Sequence, residues 1–279
     1  MSLSQNPLAL HTWTLDPTPL PEVLDIARTT GWDAVELRRI DFDRAEAAGQ
    51  SDAQVLDLVR NSGLKVSAVG VANGWMFADG ATRDQLLETF ERNCAAAAAL
   101  GSSIVMSPVD RDQGDVERAA ESVRQVSDIA GHYGVRLALE FNSQVPQFNT
   151  LESVREVLAM AAHPACGLLL DTYHLQRSGR TGRGFAEVAP EEIAYVQFSD
   201  VPRKGLQPGN TLDRLPPGQG AVDFPAVFGL LSEKGYSGPL SYEGPNPAAW
   251  ARDPKLVAEE VLQATRALLS PGTPPSSAH

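Results

Sequence analysis

Residues 136–140 read RLALE, residues 167–171 read GLLLD, and residues 239–243 read PLSYE. Each is a short apolar run that closes on a carboxylate, and a run of this length predicts a buried β-strand. Stretches with the apolar period of a helix lie between such runs. Strands that alternate with helices indicate a parallel sheet, in which the carboxyl ends of all strands meet at one edge.

The same unit recurs along the 279 residues. Apolar or alternating runs predict eight strands, at 8–13, 34–37, 65–71, 104–107, 136–141, 167–171, 194–199 and 239–243. Helical patterns lie at 21–29, 52–61, 83–100, 116–133, 151–161, 224–234 and 254–269. A closed (β/α)8 barrel uses eight strands and about 250 residues. We therefore predict an α/β protein, a single-domain TIM barrel over residues 1–270, followed by a disordered Pro- and Ser-rich tail over 271–279.

Local signals support a regular βα repeat. A glycine follows five predicted helices, where a left-handed residue ends a helix at no steric cost: Gly31, Gly63, Gly101, Gly134 and Gly235. An open doubly wound sheet is the alternative, but no GxGxxG or GxxxxGK[ST] follows the first strand. The loop at 202–220 is long and rich in Pro and Gly, and we expect it to cover a pocket.

Composition excludes several partners. A formal charge of −12 would repel a phosphate backbone, so nucleic acid is not expected to bind. No run approaches the roughly 18 apolar residues of a membrane span, and no export signal opens the chain, which predicts a cytoplasmic protein without membrane contact. Cys94 and Cys166 have no CxxC neighbour and are expected to be buried free thiols.

Four predicted strands of the second half end on a polar residue: Glu140, Asp171, Gln197 and Glu243. Three carboxylates directed into one apolar mouth repel each other unless a cation neutralises them. Oxygen ligands favour Mg²⁺ or Mn²⁺, although Co²⁺ or Zn²⁺ can occupy such a site. The alternative is that each carboxylate caps the next helix or pairs with an arginine.

Other polar residues lie near the same mouth. His174 follows Asp171 by three residues and is a candidate donor or proton carrier, the alternative being an exposed histidine at a helix start. Arg203 is a candidate for binding a hydroxyl, carboxylate or phosphate group of the substrate. The alternative is a solvated loop residue. Weaker candidates for a substrate-binding wall come from the first half: His11, Trp13, Glu36, Asn73 and Trp75.

With these residues in view, the chain resembles the xylose isomerase-like TIM-barrel superfamily, in its sugar phosphate isomerase/epimerase branch. The stretches that carry the resemblance are LE at 139–140, LDTYH at 170–174, VQFSDVPR at 196–203, LPPGQG at 215–220 and YEG at 242–244. The resemblance implies that Glu140, Asp171, Gln197 and Glu243 hold one divalent metal ion, and that His174 and Arg203 contact substrate. Gln197 departs from the histidine of the epimerases and is similar to 3-dehydroshikimate dehydratases.

The resemblance implies a small polyhydroxylated substrate and removal of a proton alpha to a carbonyl. An isomerase or epimerase would use Glu140 and Glu243 as the acid/base pair. A dehydratase of the 3-dehydroshikimate or inosose type would expel a hydroxyl group, with His174 as acid or base. A non-catalytic sugar-binding barrel is the third alternative. Endonuclease IV, of the same superfamily, needs more histidines and a basic face. A homo-oligomer is left open.

Overall fold

The computed structural model describes residues 3–270, and its eight strands form one closed parallel barrel in chain order. The strands are β1 (Leu8–His11), β2 (Ala34–Leu37), β3 (Lys65–Gly70), β4 (Ile104–Pro108), β5 (Arg136–Glu140), β6 (Cys166–Asp171), β7 (Ile193–Phe198) and β8 (Leu240–Tyr242). β8 pairs with β1 and closes the ring. The predicted TIM barrel is therefore confirmed. The predicted tail at 271–279 lies outside the described residues.

Ten α-helices connect and follow the strands within residues 3–270. They are α1 (Leu20–Thr30), α2 (Arg39–Ala47), α3 (Asp52–Ser62), α4 (Gly80–Ala99), α5 (Val116–His132), α6 (Leu151–Ala161), α7 (Thr172–Arg177), α8 (Phe224–Glu233), α9 (Pro247–Trp250) and α10 (Pro254–Leu269). The sequence did not predict α2, α7 and α9. Two of these are very short and α2 is mostly charged, so none shows a clear apolar period.

Side-chain caps and glycines set the helix boundaries. The Ser51 side chain accepts from the Gln54 N–H at the start of α3, and Asp115 accepts from the Arg118 N–H at the start of α5. Gly31 ends α1 at φ 92° and Gly63 ends α3 at φ 75°, in the left-handed region that glycine adopts freely. These are two of the predicted helix stops.

The two-residue period of the strands separates the outer core from the barrel interior. Leu137 and Leu139 of β5 belong to the large apolar cluster that includes the helices, whereas Ala138 belongs to a small cluster with Leu169 and Tyr195. Successive side chains of a strand face opposite sides, so the small cluster fills the interior. The same alternation directs Glu140 inward, two residues beyond Ala138, at the carboxyl end of the barrel.

Residues 3–270 contain neither a membrane-spanning helix nor a disulfide bond. Within residues 3–270, every helix is too short or too polar to span a bilayer. Cys94 and Cys166 are buried free thiols, as predicted.

Candidate metal and substrate site

Four buried side chains meet at the carboxyl end of the barrel. Glu140 ends β5, Asp171 ends β6, Gln197 lies in β7 and Glu243 directly follows β8. Asp171 is in register with Gln197, and Gln197 with Ser241, two residues before Glu243. Because all four have the inward parity, they form one group. We call Glu140, Asp171, Gln197 and Glu243 the strand-end cup.

Two oxygens of the cup lack a protein donor. Glu140 Oε1 and Gln197 Oε1 are buried and have no hydrogen-bond partner among residues 3–270. Gln197 Nε2 donates to Glu36 Oε1 at 2.8 Å, which fixes the amide with its oxygen free. A buried acceptor without a partner is costly, and a cation would satisfy both oxygens. With the carboxylates of Asp171 and Glu243, they make an all-oxygen donor set that fits Mg²⁺ or Mn²⁺.

The pKa values of two carboxylates of the cup, Glu140 and Glu243, are raised. Burial raises the pKa of Glu140 well above its ordinary value, and the charges of Glu243 and Asp171 raise it further. Burial likewise raises the pKa of Glu243 to about 7, against the opposing charge of Arg214. A cation in the cup would relieve both effects.

His174 faces the cup from α7 and is a donor in this geometry. Its Nδ1 accepts from the Ser143 N–H at 3.2 Å, and burial lowers its pKa to about 3, so the ring is neutral. A neutral ring that accepts at Nδ1 carries its proton on Nε2. That Nε2 lies 3.8 Å from Glu140 Oε1 and 3.9 Å from Asp171 Oδ2. These three residues have ligand atoms within 4.8 Å of one another.

Arg214 is a residue of the cup's edge that the sequence did not predict. It lies in the loop between β7 and α8, is 2% exposed, and its Nη1 donates to Asp171 Oδ2 at 2.6 Å. The same nitrogen lies 2.9 Å from Glu243 Oε2. Burial lowers the pKa of Arg214, but the charges of Asp171, Glu243 and Glu140 outweigh burial and raise it overall. Arg214 therefore stays charged at the edge of the cup.

The loop that carries Arg214 is firmly anchored to the barrel. The Asp200 carboxylate accepts from the N–H groups of Gly218, Gly220 and Val222 at 2.9, 2.7 and 2.9 Å. Asp200 also pairs through its backbone with Leu215, the residue after Arg214. The Arg214 guanidinium lies 4.3 Å from the centre of the Tyr173 ring. The sequence signal for this arginine was its place just before the LPPGQG stretch.

His11 and Glu36 lie at the base of the site, with Glu36 beneath the cup. Burial raises the pKa of Glu36 to about 8, so it is mainly protonated at neutral pH without metal. Its Oε2 accepts from the Tyr195 hydroxyl at 3.1 Å. His11 Nδ1 accepts from the Trp13 N–H, and burial lowers the His11 pKa well below its ordinary value. The neutral ring therefore directs Nε2–H between Glu36 Oε1 and Glu243 Oε1, at 3.7 and 3.5 Å.

A cavity of about 470 Å³ opens above the cup. Glu140, Glu243, His174, His11 and Arg214 line it, together with Trp13 and Asn73. This volume suits a small ligand.

Arg203, Trp75 and Glu36 were expected on the substrate-binding wall but do not line this cavity, and Glu36 is fully buried. Arg203 is exposed on the β7–α8 loop, and Arg214 of the same loop occupies the place expected for it. Trp75 is fully buried, where it donates to Ser107 Oγ at 3.1 Å and packs edge-on against Phe90. Trp75 points away from the cavity into the core shared with the helices, because the Asp110 carboxylate accepts from the N–H groups of residues 74, 76 and 77 and fixes the backbone on both sides of it.

Comparison with known proteins agrees with this architecture. The family model described as xylose isomerase-like TIM barrel matches residues 24–268. The chain belongs to this family. The inosose isomerase of Bacillus velezensis is 25% identical over 261 residues, which cover 91% of each chain. The 3-dehydroshikimate dehydratase of Pseudomonas putida is 28% identical over 235 residues, which cover 80% of this chain and 36% of the relative.

This family member thus spans about a third of the length of the dehydratases it matches. Among solved structures, the IOLI protein, described with a bound zinc atom, superposes with a TM-score of 0.83 at 23% identity, over 94% of this chain and 98% of that one. The likeness supports the fold. The named relatives of this xylose isomerase-like barrel are isomerases, epimerases and dehydratases.

Proposed function

We propose that this xylose isomerase-like barrel is a divalent-metal-dependent isomerase or epimerase of a small polyhydroxylated substrate, acting by proton abstraction alpha to a carbonyl. The observation that carries the proposal is the cup, in which two buried oxygens lack donors beside two carboxylates with raised pKa values. Buried carboxylates with raised pKa values beside a cavity are typical of functional sites. The match to inosose isomerases over 91% of each chain supports the same reaction class.

The proposed ligands of the metal are Glu140, Asp171, Gln197 and Glu243. When bound, the ion would neutralise the carboxylates and polarise a carbonyl or hydroxyl oxygen of the substrate. Mg²⁺ or Mn²⁺ suits these oxygen ligands better than a soft metal, although Co²⁺ or Zn²⁺ can occupy such a site.

Glu140 and Glu243 are the proposed acid/base pair. They lie three strands apart in the barrel order and both line the cavity, so a substrate between them is accessible to one carboxylate on each side. One, ionised, removes the proton beside the carbonyl, and the other, protonated, donates its own proton to the opposite side of the same carbon in an epimerase or to the neighbouring carbon in an isomerase.

His174 and Arg214 are proposed to hold substrate oxygens. The His174 ring is neutral and buried, so its Nε2–H can donate a hydrogen bond without placing a full positive charge beside the substrate. The Arg214 guanidinium is fixed by Asp171 and Tyr173 and stabilises negative charge that develops on a substrate oxygen. Arg214 takes this role in place of the exposed Arg203.

A metal-dependent dehydratase is the second candidate, and the amide at position 197 favours it. Gln197 stands where epimerases of the family carry histidine, and its orientation by Glu36 is compatible with a structural ligand. In a dehydratase, Glu140 or Glu243 would remove the proton, and His174 would protonate the departing hydroxyl group.

Incubation in heavy water separates these functions. The Mn²⁺-loaded protein would be mixed with inosose, L-ribulose, L-ribulose 5-phosphate and 3-dehydroshikimate and followed by proton NMR and ultraviolet absorbance. Loss of a carbon-bound proton signal with formation of an isomer supports the isomerase or epimerase. Growth of ultraviolet absorbance from a conjugated product supports the dehydratase. Neither change, in protein that carries its metal, contradicts both and favours a sugar-binding barrel.

A further inference from the structure

Four arginines that come from the segments after β2 and β4 line the cavity. Arg38, Arg39 and Arg44 follow β2, and Arg111 follows β4. We call these four residues the arginine wall. They line the same cavity as Glu140 and Glu243, in a chain whose formal charge is −12. Local basic residues in an acidic protein can reverse the field inside a pocket.

Two of the four arginines are held in an ion-pair network. Arg38 lies 2.6 Å from Asp16 Oδ1 and 3.2 Å from Asp41 Oδ1, and Arg44 Nη2 lies 3.1 Å from the same Asp16 oxygen. Burial tends to raise the pKa of Asp16, but hydrogen bonds from Arg38 and Arg44 outweigh it and lower the pKa. This network connects the β1–α1 loop with α2 and fixes the base of the wall.

The other two arginines have donors to spare. Arg39 pairs only with Asp43, one turn further along α2, and both side chains are partly exposed. Arg111 is exposed and makes no hydrogen bond or ion pair with any residue of 3–270. Arg111 thus stands outside the ion pairs that the other three arginines make with Asp16, Asp41 and Asp43. A guanidinium with free donors matches a carboxylate or a phosphate group.

We propose that Arg111 and Arg39 bind an anionic group of the substrate, a carboxylate or a phosphate, while its hydroxyl and carbonyl groups face the cup. This inference rests on the proposed function of the site and narrows its substrate class to anionic polyols. The polarity of the cavity supports one orientation, because an anion beside Glu140 and Glu243 would be repelled. The cavity, about 470 Å³, has room for a substrate that reaches from one wall to the other.

Calorimetric binding tests the inference through affinity, with a readout other than reaction rate. Mn²⁺-loaded wild type would be titrated with L-ribulose 5-phosphate, with neutral L-ribulose as its matched partner, and with 3-dehydroshikimate as the carboxylate. The same titrations would use Arg111→Gln, the double variant with Arg39→Gln, Arg111→Lys, and Arg28→Gln as an exposed control on α1. Circular dichroism would verify that every variant is folded.

We expect at least one anionic compound to bind wild type about tenfold or more tightly than L-ribulose, since a charge-assisted bond contributes that much. Arg111→Gln and the double variant should abolish this preference, and Arg111→Lys should restore part of it. The anionic compound whose binding weakens in the Arg111 variants shows whether the site recognises a phosphate or a carboxylate group. Equal binding of L-ribulose and both anions, binding of none of them, or a preference unchanged in the double variant would overturn the inference.

Failure of the proposed function would be seen separately. Anion preference that depends on Arg111, with no proton exchange or product in heavy water, would keep the anion site and remove the enzyme. Turnover of L-ribulose at the rate of L-ribulose 5-phosphate, insensitive to Arg111→Gln, would keep the enzyme and remove the anion site.

Discussion

The two halves of the barrel mouth carry side chains of opposite charge. The half from β5 to β8 presents carboxylates and an amide that lie at or next to strand ends and are almost fully buried. The half from β1 to β4 presents arginines on loops and on α2, and the side chain of Arg44 is 49% exposed. One half is acidic and fixed by the sheet, and the other is basic and partly solvated.

This contrast suggests that the acidic half carries out the reaction and the basic half binds a charged group of the substrate. Groups that must keep their positions within a fraction of an ångström are best carried by strand ends, whereas recognition of a charged group tolerates longer side chains on loops. Arg214 is the exception, because it comes from a loop yet lies in the acidic half, held by Asp171, Tyr173 and the Asp200 anchor. Substitutions can test where the division holds.

The largest effect is expected at Glu140. Glu140→Gln keeps the volume of the side chain but removes its ability to accept a proton, so turnover should fall by about 10² to 10⁴. The rate of proton exchange in heavy water, at saturating Mn²⁺, measures it. Glu117→Gln, on the exposed face of α5, is the matched control. Exchange at more than a tenth of the wild-type rate in Glu140→Gln would exclude Glu140 as the base.

Arg214 should matter more than Arg203 of the same loop. Arg214→Gln leaves Asp171 and Glu243 without their buried partner, and breaking such a pair costs about 3 to 5 kcal/mol. Urea unfolding without metal measures this loss, and saturating Mn²⁺ should reduce it because a cation again neutralises the carboxylates. Arg203→Gln should stay within about 0.5 kcal/mol of wild type. Equal losses in the two variants would remove the distinction between these arginines.

The pH dependence of the metal-free protein should reveal the buried Glu36. Its pKa is raised from 4.5 to about 8, so the stabilisation from its protonated form is complete below pH 4.5 and is lost as pH rises through 8. The free energy of unfolding should therefore fall by a few kcal/mol between pH 5 and 8.5. Glu36→Gln, which cannot ionise, should flatten this fall, while Glu117→Gln should not. A profile that is the same in wild type and Glu36→Gln would contradict the assignment.

The smallest effect is expected at Gly220, which tests the anchor of the Arg214 loop. A Cβ there would collide with the Val201 carbonyl and the Asp200 carboxylate, so Gly220→Ala should lower stability by about 1 to 3 kcal/mol and raise KM. Gly229→Ala, on α8, has nothing within 4 Å of the added carbon and should be neutral or stabilising. Thermal unfolding compares the two. Equal melting temperatures would show that the loop can relax.

The contrast between the halves also explains what the sequence revealed. The barrel and the cup were predictable because apolar runs closing on Glu140, Asp171 and Glu243 carry a local signal. Arg214 and Trp75 were not, because their positions depend on distant contacts. The Asp200 carboxylate that anchors the Arg214 loop accepts from N–H groups 18 to 22 residues away. The hydrogen bonds to Asp110 that direct Trp75 away from the cavity join residues more than 30 positions apart.

The arginine wall was likewise invisible as a group. Arg38, Arg39 and Arg44 lie in a mostly charged stretch for which the sequence predicted no element, and Arg111 lies between two predicted elements. Only closure of the barrel places β2 and β4 on the same side of one cavity.

Metal content tests the central claim most directly. Wild type, Asp171→Asn, Glu243→Gln and the control Glu117→Gln would be loaded with Mn²⁺, desalted, and analysed by mass spectrometry and thermal unfolding. We predict one equivalent of Mn²⁺ and a higher melting temperature in wild type and control, and loss of both in the two cup variants. Equal metal content in all four proteins, with no stabilisation by Mn²⁺ in any, would contradict the account.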